Sequence, residues 1–373
     1  MYNTISSHTD RIRDNEQEGY TYMINAGIIG ATGYAGAELV RILSNHREVN
    51  VKTLCSKTYA GQKYSDVFGN MRGIADHILQ KDDIEALSDE VDVIFTATPQ
   101  GYLAGVLTEE VLCGAKVIDL SADYRIKDVK TYEAWYGIEH KSPQFIGEAV
   151  YGLCEKNREM IRGARLVANP GCYPTCSYLT ISPAIMGGFI EPSSVIIDAK
   201  SGTTGAGRGA KTANLFCEVN DSIRPYGLPG HRHTPEIEEQ LSSIAGERIV
   251  LNFSPHLIPM MRGILVTAYA DLRAKADGTY PTTDEIHAFY KERYADERFV
   301  RVLEPGAYPQ TRWIKGSEYT DVSVIADERT HRLIMMGAMD NMTKGAAGQA
   351  VQNMNIMFGF DEGEGLAMCP VFP

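Results

Sequence analysis

The stretch GIIGATGYAG at residues 27–36 decides the fold, because it places four glycines where a strand is expected to give way to a helix. Residues 24–29 are mostly apolar, as in a buried strand, and the spacing predicts a helix over residues 37–45. Small residues at such a turn let backbone N–H groups approach a pyrophosphate at the positive end of the helix dipole. The pattern predicts a dinucleotide site built on Gly30, Thr32, Gly33, Tyr34, Ala35 and Gly36.

The glycine spacing is Gly-x-x-Gly-x-x-Gly rather than Gly-x-Gly-x-x-Gly, so a tight turn without any ligand remains an alternative. About 20 residues further on, where an NAD enzyme carries an acid for the ribose hydroxyls, the chain reads LCSK at residues 54–57. Ser56 and Lys57 suit a 2′-phosphate, which predicts NADP(H) as the cofactor. Pro99 ends another strand candidate and would line the cofactor edge, although an ordinary turn explains it equally well.

The rhythm of apolar runs divides the chain in two. Up to residue 170, short runs alternate with helical stretches, which predicts a Rossmann-type parallel sheet over residues 23–170. Beyond it the runs lengthen, and those at residues 320–328 and 331–340 flank a short polar turn typical of a hairpin. We therefore expect an α/β protein with a second, α+β domain that has a mixed sheet, over residues 171–339. A last helix is expected over residues 344–358.

Composition limits the classes of function. The chain has 373 residues, of which 44% are hydrophobic, and a formal net charge of -12, which disfavours nucleic acid and anionic membranes as partners. No apolar run approaches the roughly 20 residues of a membrane helix, and no signal peptide is evident. We expect a cytoplasmic protein that acts on small molecules. Residues 1–22 are polar and predict a flexible extension, and Met23 is a possible alternative start.

Seven cysteines are scattered without a Cys-x-x-Cys pair, and one of them lies in a distinctive context. Cys172 stands in NPGCYPT at residues 169–175, between a strand candidate and a helix expected over residues 175–186. A helix N-terminus favours the thiolate and offers N–H donors to an oxyanion on an attacked carbonyl. Cys172 is therefore the candidate nucleophile, whereas Cys176, one helical turn later, is interpreted as a packing residue.

Two further motifs supply partners for a thiolate. GHRHTPE at residues 230–236 contains His231 and His233, which could exchange protons at neutral pH, form structural hydrogen bonds or bind metal. Zinc sites usually show denser ligand spacing, so no metal is predicted. SGTTGAGRG at residues 201–209 is a second glycine-rich loop, with Gly202 suited to close approach by substrate or nicotinamide and Arg208 as a cation. A plain flexible loop is the alternative.

Six motifs together give the chain a family resemblance. They are GATGYAG, SADYR at residues 121–125, NPGCYPT, SGTTGAGR, GHRHTPEI and DNMTKGAAGQAVQNMN at residues 340–355. From about Ile24 to its end the chain resembles the N-acetyl-gamma-glutamyl-phosphate reductase family, within the aspartate-semialdehyde dehydrogenase superfamily. The resemblance implies reduction of N-acetyl-L-glutamyl 5-phosphate by NADPH to N-acetyl-L-glutamate 5-semialdehyde and phosphate, in arginine biosynthesis.

The resemblance also implies residue roles, and it implies that residues 171–339 serve catalysis and dimerisation. Cys172 would be the nucleophile and His231 the general acid/base, and Asn341 would reach the nicotinamide, while residues 340–373 would pack back on the first domain. The candidates for substrate contacts are Arg125, Arg208, Asn169 and His233. A homo-oligomer, dimer or tetramer, is expected, as for most soluble enzymes of this size.

Two alternatives stay open at this point. The substrate could be a related acyl phosphate of aspartyl or aminoadipyl type, because one or two methylenes are weakly discriminated by a binding pocket. The chain could also be a dinucleotide-sensing protein without catalysis, although Cys172 and His231 argue against that class.

Overall fold

Two β-sheets organise residues 23–372, the part of the chain described by the computed structural model. The extension predicted for residues 1–22 lies outside the described residues. Within residues 23–372, no helix is both long and apolar enough to cross a membrane.

The first sheet has six strands in the order β2-β1-β3-β4-β6-β5, and every pair in it is parallel. The prediction of a Rossmann-type parallel sheet is confirmed. Its strands are β1 Ile24–Ile29, β2 Val49–Cys55, β3 Val93–Thr96, β4 Lys116–Asp119, β5 Val150–Tyr151 and β6 Leu166–Ala168. Its connecting helices are α1 Tyr34–Leu43, α2 Tyr64–Val67, α3 Ile84–Ser88, α4 Tyr102–Val106, α5 Glu109–Gly114, α6 Val129–Tyr136 and α7 Cys154–Arg162.

The second sheet has seven strands in the order β11-β12-β13-β10-β7-β9-β8 and mixes parallel with antiparallel pairs, as predicted. The expected hairpin is present, with Thr320 opposite Met339. The strands are β7 Ile196–Ser201, β8 Arg224–Pro225, β9 Asn252–Leu257, β10 Ile264–Asp271, β11 Val300–Val302, β12 Thr320–Asp327 and β13 Arg332–Met339. The helices are α8 Cys172–Met186, α9 Phe216–Val219, α10 Thr234–Ala245, α11 Thr283–Arg293 and α12 Gly348–Phe358.

Helix α8 connects the two halves and positions the candidate nucleophile. The chain leaves the carboxyl end of β6, passes through three residues and enters α8 at Cys172. The residues from Tyr173 to Ile185 are all buried, because the helix packs against β10 and β13 of the second sheet and against α10. A helix with no exposed face has little freedom to shift, so its N-terminus holds a fixed position relative to the first sheet.

The last helix differs from its prediction at the start. Residues Thr343–Ala347 form a π-helical turn, and the regular helix α12 begins only at Gly348. The turn brings Gly345 so close to the nucleophile that a Cβ at this glycine would lie 2.7 Å from the Cβ of Cys172. Helix α12 then contacts α1, α7 and β4 of the first half. Beyond it, the N–H of Val371 donates to the carbonyl of Lys315 in the second half, at 2.8 Å.

Candidate active site

A cleft of about 690 Å³ lies where the carboxyl ends of β3, β4 and β6 face the N-terminus of α8. It brings together most of the residues that the sequence predicted for the site. Twelve of them line it: Gly33, Tyr34, Ala35, Pro99, Arg125, Asn169, Cys172, Gly202, Arg208, His231, His233 and Asn341. Gly30, Thr32, Gly36, Ser56 and Lys57 do not belong to its lining.

The glycine turn after β1 fits an anion such as a pyrophosphate. Gly30 has a φ of +80°, and a Cβ there would lie 2.4 Å from the carbonyl oxygen of Ala97. A Cβ at Gly36 would lie 2.3 Å from the carbonyl oxygen of Gly30, so both glycines are needed for the backbone to fold this tightly. Gly33 caps α1 without a side-chain hydrogen bond, and the first turn has no acidic residue. The first N–H groups of α1 are therefore available to a ligand.

The end of β2 carries the groups expected for a 2′-phosphate. Ser56 is buried, and its Oγ lies 2.8 Å from the Oγ1 of Thr32, which joins the two turns. Lys57 is exposed beside them. Arg208, predicted as a substrate clamp, reaches this same place, because its Nη1 donates to the carbonyl of Thr32 at 2.9 Å. Its recorded contacts are with the nucleotide side of the cleft, and they include the ring of Phe68.

Cys172 is the first residue of α8, with Gly171 as the N-cap. Burial raises the pKa of its thiol to about 11, although the backbone N–H groups of Tyr173 and Cys172 and the charge of Arg125 all lower it. The predicted stabilisation of the thiolate by the helix N-terminus is thus present but smaller than the cost of desolvation. The resting sulfur is a thiol that needs a base.

Glu236, a residue that the sequence reasoning missed, holds the turn that carries Cys172. It is fully buried, and its Oε1 accepts hydrogen bonds from the N–H of Gly171 at 2.8 Å and from the hydroxyl of Tyr151 at 2.9 Å. Its Oε2 lies 3.4 Å from the Nη1 of Arg125. The signal was available, since Glu236 follows the two histidines within GHRHTPE and opens the first turn of α10.

The guanidinium of Arg125, predicted to bind a substrate anion, already has protein partners at all three nitrogens. Its Nε donates to the carbonyl of Asn169 and its Nη2 to the carbonyl of Leu120, both at 2.7 Å. With the Glu236 ion pair, these contacts fix Arg125 beneath the Cys172 turn, although it still lines the cleft. Its positive charge lies close enough to Cys172 to lower the pKa of the thiol.

Two predicted asparagines hold neighbouring segments. The amide nitrogen of Asn169 donates to the carbonyl of Ala346 at 3.0 Å, and its oxygen accepts from the side chain of Asn353 at 3.1 Å. Asn341 accepts from the N–H of Gly263 at 2.7 Å and donates to the Oγ1 of Thr204 at 3.0 Å. Asn169 thus joins the nucleophile turn to the last helix, and Asn341 supports the loop that contains Gly202.

His231 and His233 lie side by side, with ring centres 5.1 Å apart, and line the same cleft as Cys172. The Nδ1 of His231 accepts from the backbone N–H of His233 at 3.1 Å. Burial, with Arg232 adding to it, lowers the pKa of His231 to about 4. Burial also holds the pKa of His233 well below its usual value. The Nε2 of His233 would be 2.7 Å from a Cβ placed on Gly171. Both rings are therefore neutral at neutral pH and can accept a proton.

Comparison with known proteins assigns the chain to a family. Residues 25–164 match the family model described as semialdehyde dehydrogenase, NAD binding domain, and residues 172–341 match semialdehyde dehydrogenase, dimerisation domain. The chain is 60% identical over 351 residues to the N-acetyl-gamma-glutamyl-phosphate reductase of Lachnoclostridium phytofermentans, which covers 94% of this chain and 100% of that relative. The chain belongs to the N-acetyl-gamma-glutamyl-phosphate reductase family. The family predicted from the motifs is confirmed.

A second relative agrees with this assignment, and two solved structures share the fold. The N-acetyl-gamma-glutamyl-phosphate reductase of Lachnospira eligens is 57% identical, over 94% of this chain and 100% of that relative. Aspartate semialdehyde dehydrogenase II from Vibrio cholerae, complexed with ASA, superposes with a TM-score of 0.67 at 16% identity, covering 90% of this chain and 98% of that one. Aspartate semialdehyde dehydrogenase with NADP from Candida albicans gives 0.68 at 18%, with the same coverage. At such identities these structures show a shared fold.

Proposed function

We propose that this chain reduces N-acetyl-L-glutamyl 5-phosphate with NADPH to N-acetyl-L-glutamate 5-semialdehyde and phosphate, through a thioester on Cys172. The observation that carries the proposal is the position of Cys172, which shares one cleft with a dinucleotide turn and two neutral histidines. The name borne by relatives up to 60% identical supports the choice of substrate.

The first half of the reaction forms the thioester. A neutral histidine, His231 in our proposal, accepts the proton of the Cys172 thiol as the sulfur attacks the acyl carbon. The carbon–oxygen bond to phosphate breaks, and phosphate leaves with its electron pair and takes up a proton from solvent, the one proton that the overall reduction consumes. The first N–H groups of α8 face the carbonyl oxygen as it becomes an oxyanion and stabilise the negative charge.

The second half releases the aldehyde. NADPH, when bound, supplies the hydride that converts the thioester carbon to a thiohemiacetal oxyanion. The same N–H groups of α8 hold that oxyanion until it collapses. The carbon–sulfur bond then breaks, the aldehyde leaves, and the Cys172 thiolate takes back the proton from the histidinium. His233 is the second candidate for this proton, because its Nε2 faces Gly171.

The cations of the cleft, the net charge and the family match bear on substrate binding, partners and oligomeric state. The substrate carries a phosphate and a carboxylate, and the cleft offers three exposed cations besides Arg208, namely Lys211, Arg224 and Arg232. The net charge of -12 argues against nucleic acid as a partner. The match to a dimerisation domain supports a homo-oligomer, which we propose is a dimer or tetramer in the cytoplasm.

An assay run in the oxidative direction tests the proposal. The enzyme should reduce NADP with N-acetylglutamate 5-semialdehyde only when inorganic phosphate is present. Aspartate semialdehyde and the aminoadipate homologue serve as competing substrates. A higher kcat/KM for either of them would replace the proposed substrate. Absent reduction with all three would favour the dinucleotide-sensing alternative, and phosphate-independent reduction would contradict the acyl-phosphate chemistry.

A further inference from the structure

Arg208 belongs to the second half of the molecule by sequence but contacts the first half. It follows the glycine-rich loop after β7, and its Nη1 donates to the carbonyl of Thr32 at 2.9 Å. Its guanidinium lies 4.7 Å from the ring centre of Phe68 and 5.8 Å from that of Tyr59. Thr32, Tyr59 and Phe68 all belong to the turns and crossover that surround the ends of β1 and β2, where a dinucleotide places its adenosine half.

The charge of Arg208 has no acidic partner among residues 23–372. Arg208 is exposed, and apart from the bond to Thr32 its N–H donors have no hydrogen-bond partner among the described residues. The two aromatic faces favour the guanidinium at this place. Such donors match the oxygens of a phosphate, to which a guanidinium can bind through two parallel hydrogen bonds.

Ser56 and Lys57, the two residues first predicted for the 2′-phosphate, offer fewer free donors held in place than a phosphate site needs. The hydroxyl of Ser56 is already shared with Thr32, at 2.8 Å, and it also accepts from the N–H of Tyr59 at 3.3 Å. Lys57 is exposed. Arg208 lies next to these residues, because it donates to the backbone carbonyl of Thr32, whose hydroxyl contacts Ser56.

We propose that Arg208 binds the 2′-phosphate of NADP(H), from across the cleft, and thereby determines the preference for NADP(H) over NAD(H). The inference rests on the proposed function for the identity of the cofactor. The role assigned to Arg208 thereby changes from substrate binding to nucleotide binding. Residues from both halves of the molecule then recognise the cofactor. Gly202 and Arg208 share one loop, and both line the cleft.

Binding of 2′,5′-ADP and 5′-AMP, measured by titration calorimetry, isolates the 2′-phosphate from catalysis. The unmodified protein should bind 2′,5′-ADP more tightly than 5′-AMP. Arg208→Gln should weaken 2′,5′-ADP binding at least about tenfold and leave 5′-AMP binding unchanged, as expected for the loss of a charged hydrogen-bonding partner. Arg208→Lys should retain part of the preference, because the charge remains but the planar fork is lost.

Arg224→Gln is the matched control, since it removes the same charge from the same cleft while the hydrogen bond of Arg224 is to Ala213, within the second half. It should leave the ratio of the two affinities unchanged. An unaltered ratio in Arg208→Gln, with the preference intact in the unmodified protein, would overturn the role of Arg208 alone. No preference in the unmodified protein would overturn it together with the NADP(H) assignment. The melting temperature of each variant shows whether the fold is intact.

Discussion

At the scale of single residues, the sulfur of Cys172 carries the proposed chemistry. Cys172→Ser replaces a group that can ionise with a hydroxyl that does not, so acyl-enzyme formation should be abolished. Nucleotide affinity should stay the same, because β3 and β4 separate the dinucleotide turn after β1 from the end of β6 that leads to Cys172. Mass spectrometry of enzyme incubated with the semialdehyde and NADP in phosphate-free buffer should find an acyl adduct on the Cys172 peptide. An adduct on Cys176 instead, or turnover by Cys172→Ser, would contradict the mechanism.

The two histidines can be separated by matched substitutions. His231→Asn should lower kcat about 10²–10⁴-fold through loss of proton transfer, and His233→Asn should lower it less. The measurement is steady-state reduction at saturating substrate, with circular dichroism to confirm folding. The reverse order of effects would assign the proton to His233, and a full rate in both variants would remove the histidines from the chemistry.

The pKa values of these groups set the expected dependence on pH. Burial raises the pKa of Cys172 to about 11, so in the free enzyme the thiolate forms only as the pH rises towards that value. The rate of alkylation of Cys172 by iodoacetamide should keep increasing well above pH 8.5, the ordinary cysteine pKa. A midpoint at or below 8.5 would mean that the helix N-terminus outweighs desolvation. Catalysis should fall in acid as His231, with a pKa of about 4, becomes protonated.

Sequence predicted the members of this site better than their roles. Twelve of the predicted side chains or glycines line one cleft, because motifs such as NPGCYPT and GHRHTPEI concentrate chemically active residues at turns. The roles depend on neighbours that are distant in sequence. Glu236 meets Gly171 across 65 positions, and Arg208 meets Thr32 across 176. The raised pKa of the thiol depends on burial, which a motif does not reveal.

At the scale of elements, α8 and α10 meet through the buried Glu236 carboxylate. Glu236→Gln leaves Arg125 without its buried counter-charge, so we expect the free energy of unfolding to fall by about 3 kcal/mol. The misplaced Gly171 turn should also lower the rate of acylation at Cys172. Glu109→Gln, which breaks an exposed pair with Arg165, is the control and should leave the melting temperature nearly unchanged. Equal melting temperatures for the two variants would contradict the structural role of Glu236.

The elements that the sequence did not predict are either very short or irregular. The strands β5 and β8 have only two residues each, too few for an alternating pattern to show. The π-helical turn before α12 was not predicted either, because such turns are rare and differ from a regular helix only in their hydrogen bonds. Long strands such as β12 and β13, with clear patterns and a polar turn between them, were predicted correctly.

At the scale of the whole molecule, a buried charge cluster joins the two halves beside the nucleophile. The ammonium of Lys344, on the π-helical turn, lies 2.6 Å from Glu155 of α7 and 3.8 Å from Glu318, which precedes β12. It also donates to the side chain of Gln352 at 2.7 Å. All four residues are buried, and neither oxygen of Glu318 has a hydrogen-bond partner among the residues described. Two carboxylates against one ammonium leave the cluster with more acid than base.

Glu318 should therefore make the stability of the whole molecule depend on pH. Burial, with Glu155 and Asp340 adding to it, raises the pKa of Glu318 to about 8 despite the opposing charge of Lys344. Between the ordinary glutamate pKa of about 4.3 and this value, the folded protein holds a proton that the unfolded chain has released. The free energy of unfolding must then decrease as the pH rises through this window, by about 1.4 kcal/mol per pH unit, and level off above it.

A Glu318→Gln variant removes that proton and isolates its effect. Urea unfolding at pH 5, 6.5 and 8 should show wild-type stability decreasing more steeply than that of Glu318→Gln, so that the variant gains relative stability as the pH rises. Glu159→Gln, an exposed acid on α7, controls for the change in net charge and should follow the wild-type profile. Parallel profiles for the wild type and Glu318→Gln would show that Glu318 is ionised in the folded protein. The charge of Lys344 would then lower the pKa of Glu318 by more than burial raises it.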